Sequence, residues 1–163
     1  MRTIDIEIAL MRWFSITAYS IIPNISFGMA YNHKSLHECD LLLLSKSGYA
    51  TEIEIKISKG DIDNERKKKH NHQHPLIKRL YFAVPYTLVD YVMQSNYVPK
   101  DSGVISVEEI GYVYGKKKYK VRIVKEAIVR KGCVKWDNKL RMNFYRLGVL
   151  RILGFKEKIS INT

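Results

Sequence analysis

The segment Glu38–Lys56, ECDLLLLSKSGYATEIEIK, restricts the fold of this chain more than any other stretch. Glu38–Ser45 is a short apolar run and Tyr49–Ser58 is a second. Between them, Lys46-Ser47-Gly48 has the length and composition of a hairpin turn. In the second run side chains alternate along a strand: Glu52, Glu54 and Lys56 share one face, and Ile53, Ile55 and Ile57 share the other. The hairpin lays the strand that carries Asp40 beside them. Carboxylates and an ammonium therefore converge at one end of a sheet.

The flanking segments complete an α/β pattern. Residues 3–14 read two ways. Ile4, Ile6, Ile8 and Leu10 alternate as in a strand, whereas Ile4, Ile8 and Met11 form a helical stripe. Ala, Leu, Met and Arg favour the helix, which is the expectation. Tyr19–Met29 is extended but interrupted at Pro23-Asn24, as at an edge or a turn. Asp61–His72 reads as a polar helix capped by Ser58 or Asp61. Arg79–Val84 is a buried strand stopped by Pro85, Leu88–Gln94 a short helix and Gly103–Val107 a strand. Tyr112–Val124 is a hairpin around Gly115. Lys139–Leu153 is a closing helix with Leu140, Phe144 and Leu147 on its apolar face. This order predicts an α/β fold, a central mixed sheet flanked by helices.

A chain of 163 residues, 46% hydrophobic and 27% charged, fits a single globular domain over 1–163. Two cysteines, Cys39 and Cys133, exclude a disulfide scaffold and a four-cysteine zinc site. Asp5, Glu7 and Arg12 break the first apolar stretch, so no secretory signal is visible. The longest aliphatic run, Leu41–Leu44, is far too short to span a bilayer. A soluble, cytoplasmic chain with no membrane partner is expected.

The net charge of +12 is carried by one third of the chain. Residues 111–163 hold 15 basic and 3 acidic side chains, and residues 1–110 hold 13 of each. Such a lopsided basic region suits a polyanion, with nucleic acid the leading candidate. Lys116, Lys117, Lys118 and Arg141 are candidate phosphate contacts, as are Arg66 and Lys69 in the basic run after the hairpin. Tyr119, Trp136 and Tyr145 are interleaved with the cations; Trp136 and Phe144 are expected in the core. No zinc-finger or RNA-recognition signature appears, so binding led by the nucleic-acid backbone is expected.

Carboxylate oxygens are the ligands Mg²⁺ and Mn²⁺ prefer. Asp40 and Glu54 are a candidate pair for such an ion. Lys56 is placed to orient a water, to act as a base if its pKa is depressed, or to stabilise charge on a phosphorane. A solvated hairpin face also shows Glu-x-Lys; the hairpin spacing, the preceding Asp and the basic C-terminal third favour a site.

At these residues the sequence resembles the PD-(D/E)XK nuclease superfamily. Its signature is an acid on one strand followed by (Asp/Glu)-x-Lys on the next, here Asp40 and Glu54-Ile55-Lys56. The resemblance covers about residues 3–110, with 111–163 a basic extension, and looks most like small DNA-repair-associated or phage-type members. It departs from the pattern in having Cys39, not proline, before Asp40. The resemblance implies a restriction-endonuclease-like core and a metal-dependent deoxyribonuclease. In it Asp40, Glu54 and the Ile55 carbonyl bind Mg²⁺ or Mn²⁺, Glu7 is an outer ligand and Lys56 assists the attacking water. Members often pair to cut both strands, so a homodimer is implied, although no interface is legible. A catalytically silent nucleic-acid-binding module on the same fold is the alternative.

Among neighbouring residues, Glu52 is expected to be solvated and Glu38 to stand behind Asp40. Cys39 is expected to face the core. His33 and His37 fall in an expected loop, and His70, His72 and His74 at a polar helix end.

Overall fold

The computed structural model describes residues 1–27, 37–67 and 72–161. A helix over Thr3–Trp13 (α1) leads into strands Tyr19–Phe27 (β1), His37–Ser45 (β2) and Ala50–Ile55 (β3). A short helix Lys59–Asp63 (α2) continues as a 3-10 turn over Asn64–Lys67, followed by strand Ile77–Pro85 (β4) and helix Val89–Gln94 (α3). Strands Gly103–Val113 (β5) and Lys116–Lys125 (β6) form a hairpin, and helix Asn138–Ile161 (α4) closes the chain.

The strands make one mixed sheet in the order β1-β2-β3-β4-β5-β6. β1, β2 and β3 pair antiparallel, β3, β4 and β5 parallel, and β6 antiparallel to β5. Parallel neighbours need a crossover, and α2 and α3 supply the two. Helices cover both faces. On one, α1 buries Ile6, Ala9 and Leu10 against Leu41, Leu43, Ile53, Ile55 and Ala83. On the other, Phe144 of α4 and Trp136 pack on Ile22, Leu42, Leu44 and Ala50, while Ile62 and Val92 pack on Leu80, Phe82 and Val104. The four consecutive leucines are thus buried alternately on the two faces, as a central strand requires.

Two local features hold the hairpin and α4 in place. Gly48 takes φ +86° in the β2–β3 turn, a left-handed conformation that glycine adopts without strain. Its carbonyl accepts from the Trp136 N–H at 2.9 Å, and the Trp136 indole N–H donates to the Leu76 carbonyl at 3.0 Å. Gly148 lets α4 approach β1: a Cβ there would stand 2.8 Å from Ile22 Cδ1.

Several expectations need correction. The α1 stripe is Ile6, Ala9 and Leu10; Ile4 and Ile8 are exposed. The interruption at Pro23-Asn24 is found as expected of an edge: β1 is an edge strand, its pairing skips Asn24, and Asn24 at φ +49° turns the chain so that Ile22 and Ile25 meet the same cluster. The polar helix is shorter than Asp61–His72. Ser58 caps it, accepting from the Asp61 N–H at 3.1 Å, but the α-helix ends at Asp63 and His72 lies in a turn at φ +54°. β5 runs on to Val113, well past Val107, because its second half pairs with β6 outside the core. No described helix is long and apolar enough to cross a membrane.

Candidate active site

Register brings the predicted acids together. Leu41 pairs with Ile53 and Leu42 with Glu52, so Asp40 stands one step along beside Glu54. Asp40 is fixed there: its Oδ2 accepts the Ile55 N–H at 2.8 Å. Ile55 ends β3, and the Lys56 N–H reaches across to the Ala83 carbonyl at 3.0 Å. Glu7 arrives from α1, and its Oε2 accepts from Asn24 Nδ2 at 3.2 Å. Glu7, Asp40, Glu54 and Lys56 line one cleft of about 720 Å³ at the end of the sheet, together with Glu38, Arg151 and Phe155. Three elements, α1, β2 and β3 with its extension, therefore supply the carboxylates and Lys56, and α4 supplies Arg151.

The electrostatics are those of crowded carboxylates around one ammonium. Burial raises the Glu7 pKa, and the charge of Asp40 adds to it, more than the Asn24 hydrogen bond offsets. Lys56 Nζ lies 3.1 Å from Glu54 Oε2 and 2.6 Å from Glu65 Oε1. Burial alone would lower its pKa, but the charges and hydrogen bonds of Glu54 and Glu65 outweigh that and hold it above the ordinary lysine range. Lys56 in this setting is a cationic donor, and the base role considered from sequence is disfavoured.

A second layer of charged groups lies behind the cleft. Glu52 was expected in solvent; it is fully buried, standing between Leu42 and Leu80 in mid-sheet. A buried carboxylate needs partners, and two histidines provide them. His37 Nε2 lies 2.7 Å from Glu52 Oε2 and His72 Nδ1 lies 2.8 Å from Oε1. The other ring nitrogen of His72 lies 2.6 Å from Glu65 Oε2. Burial would lower the His72 pKa, but hydrogen bonds to Glu52 and Glu65, with the Glu54 charge 3.8 Å away, push it up to about 9. The same histidine bonds hold Glu52 low against its burial. Arg130 Nη1 donates to the His72 carbonyl at 2.6 Å and pins the turn. His37 opens β2, not a loop, and His72 belongs to this network, not to a helix end; His33 and His70 lie outside the described residues. Cys39 is buried in the core, as expected.

The basic candidates divide. β3, β4 and β5 are parallel, so the β5–β6 tip that carries Lys116, Lys117 and Lys118 projects from the same end of the sheet as Glu54 and Lys56. Lys116 and Lys118 are exposed, whereas Lys117 bonds Glu109 at 2.9 Å. Lys120 and Arg122 continue the exposed row by alternation. Arg66 is exposed on the 3-10 turn beside Glu65, and Lys69 lies outside the described residues. Arg141 is placed away from the site: it donates to the Lys46 carbonyl at 2.9 Å, at the other end of β2. Arg151, ten residues or about 15 Å further along α4, is the helix cation that lines the cleft, bonded to the Asn24 carbonyl. Only the strong basic bias of that helix could have pointed to it.

No protein-family model and no curated protein matches this chain. A solved structure, described as SPO1766 protein of unknown function from Silicibacter pomeroyi, is similar to it. The TM-score is 0.56 and identity 16%, over 96% of this chain and 88% of that one. That likeness speaks for the fold alone.

Proposed function

We propose that this protein is a metal-dependent nuclease that hydrolyses DNA phosphodiester bonds on a restriction-endonuclease-like core. The observation that carries this reading is that Glu7 of α1, Asp40 of β2, and Glu54 and Lys56 of β3 and its extension line one cleft. The donor set fits a hard divalent cation: all the acidic ligands are oxygen, and the raised Glu7 pKa reflects repulsion from Asp40 as well as burial. Asp40 and Glu54, with the Ile55 carbonyl and Glu7 further out, would hold Mg²⁺ or Mn²⁺. Such an ion supplies Lewis-acid polarisation of a phosphodiester and a more acidic water. Lys56 donates to a non-bridging phosphate oxygen and stabilises the charge that develops there. Glu65 and Glu54 hold its ammonium in position. Arg151 and the β5–β6 row then meet phosphates on either side.

The metal reading has a direct test. Mg²⁺ or Mn²⁺ should raise the melting temperature of the wild type by mass action, and Asp40→Asn and Glu54→Gln should each blunt that rise. A wild-type protein with no divalent-dependent shift and no calorimetric heat of binding would remove the site.

The nucleic-acid path is tested by charge. Lys116→Gln/Lys117→Gln/Lys118→Gln should weaken binding to all DNA sequences alike and reduce the slope of log affinity against log salt by about 2, since each phosphate contact contributes about 0.9 and Lys117 is already paired with Glu109. An unchanged slope would move the path to the Arg66 turn or to Arg151. A protein that binds DNA with this salt slope but cleaves nothing in Mg²⁺ or Mn²⁺ would be the silent binding module.

A further inference from the structure

Beside the oxygen-lined cleft lies a group of different chemistry. His37, Cys39 and Glu52 each offer one ligand atom, and these atoms lie within 4.8 Å of one another. We infer that His37, Cys39 and Glu52 form a second site for a borderline-soft transition ion of the Zn²⁺ type, with ligands other than those of the Mg²⁺ site, although Cys39 also lines the cleft. Imidazole nitrogen, thiolate sulfur and carboxylate oxygen are the donors such an ion takes and Mg²⁺ does not. Ligands bound at about 2.0–2.3 Å around a tetrahedral ion stand roughly 3.3–3.6 Å apart. His37 Nε2 and Glu52 Oε2, now 2.7 Å apart, would part slightly, and the third atom would draw in.

The strand geometry prepares these groups. His37 and Cys39 are two residues apart on β2, and Glu52, paired with Leu42 on neighbouring β3, reaches His37 through its side chain at 2.7 Å. Charge balances: a thiolate and a carboxylate neutralise a dication, so the loaded site buries no net charge. An outer layer is also built. Glu52 uses Oε2 toward His37, leaving Oε1 to accept from His72 Nδ1 at 2.8 Å, and His72 is held in turn by Glu65. Ligating carboxylates are usually oriented by such partners. Three protein ligands leave a fourth position for a water or a further donor, and the ring of His74 lies 5.2 Å from that of His37. The inference stands on these ligands alone and does not depend on nuclease activity.

Cobalt tests it, because a Co²⁺–thiolate bond gives a sulfur-to-metal charge-transfer band in the near ultraviolet. Titrating Co²⁺ into the metal-stripped full chain should produce that band with one equivalent. Zn²⁺ should bleach it and a large excess of Mg²⁺ should not. Cys39→Ser should remove the band and Cys133→Ser should keep it. His37→Ala, at the strand's end, should lower Co²⁺ affinity by at least about 10–100-fold, the cost commonly seen for losing even an outer partner; it decides the matter if Cys39→Ser does not fold. No band in the wild type, a band that survives Cys39→Ser, or unchanged affinity in His37→Ala would overturn the inference. Mg²⁺-dependent cleavage is read separately, so failure of either reading leaves the other standing.

Discussion

Lys56→Ala should reduce DNA cleavage by about 10²–10⁴-fold, the usual cost of removing one positioned electrostatic or acid–base group, while DNA affinity falls only slightly. One phosphate contact among many is lost, so the binding slope hardly changes. An ammonium has no lone pair while protonated, so Lys56 is not a metal ligand and Mg²⁺-dependent stabilisation should survive. The surrounding carboxylates hold Lys56 charged, which predicts that Lys56→Arg, always charged but bulkier and unable to act as base, recovers part of the rate. Cleavage by Lys56→Ala at the wild-type rate, measured under single-turnover conditions, would defeat the Glu54-x-Lys56 assignment.

His72→Ala should destabilise the metal-free protein by about 3–5 kcal/mol, the range for removing one partner of a buried ion pair. Its loss removes the ring between Glu52 and Glu65 and leaves one buried oxygen of each without that partner, although His37 still meets Glu52 and Lys56 still meets Glu65. The effect depends on pH with a definite sign. The folded pKa, about 9, lies above the ordinary histidine value of 6.5. Stabilisation from the protonated ring is therefore complete below about pH 6.5 and is lost as pH rises through about 9. The shift corresponds to roughly 3 kcal/mol at 1.36 kcal/mol per unit. Denaturant unfolding of chelator-treated wild type should show stability falling between pH 6.5 and 9. His72→Gln should flatten that limb. Parallel curves for the two proteins would show that His72 is not charged in the fold.

How much of this was legible in the sequence follows from what each pattern reports. The hairpin and the Asp40–Glu54–Lys56 grouping were readable because strand alternation and a three-residue turn fix neighbours over a short span. The mixed sheet followed from the order of apolar runs. Glu52 was misread because alternation gives a face and not a depth: Glu52 and Glu54 share a face, but only tertiary packing tells that Leu42 and Leu80 flank the former in mid-sheet. His72 was misread because its partners, Glu52 and Glu65, are 20 and 7 residues away and meet it only after β3 and the 3-10 turn are packed. A buried E-x-E with histidines downstream carried the signal, since an interior acid demands a partner. The choice of Arg151 over Arg141 likewise depended on the length and placement of α4, neither of which a charge count contains.

The continuous run of contacts from His37 through Glu52, His72 and Glu65 to Lys56 has a consequence for how this sequence can diverge. Each internal member contacts two others, so replacing one alone leaves a buried polar partner short of a contact on both sides. Drift at these positions is therefore constrained to pass through joint replacements. In descendants of this chain, Glu52, Glu65 and His72 should be retained or lost as a set, while exposed Arg66, beside Glu65 in the chain, is free to change alone.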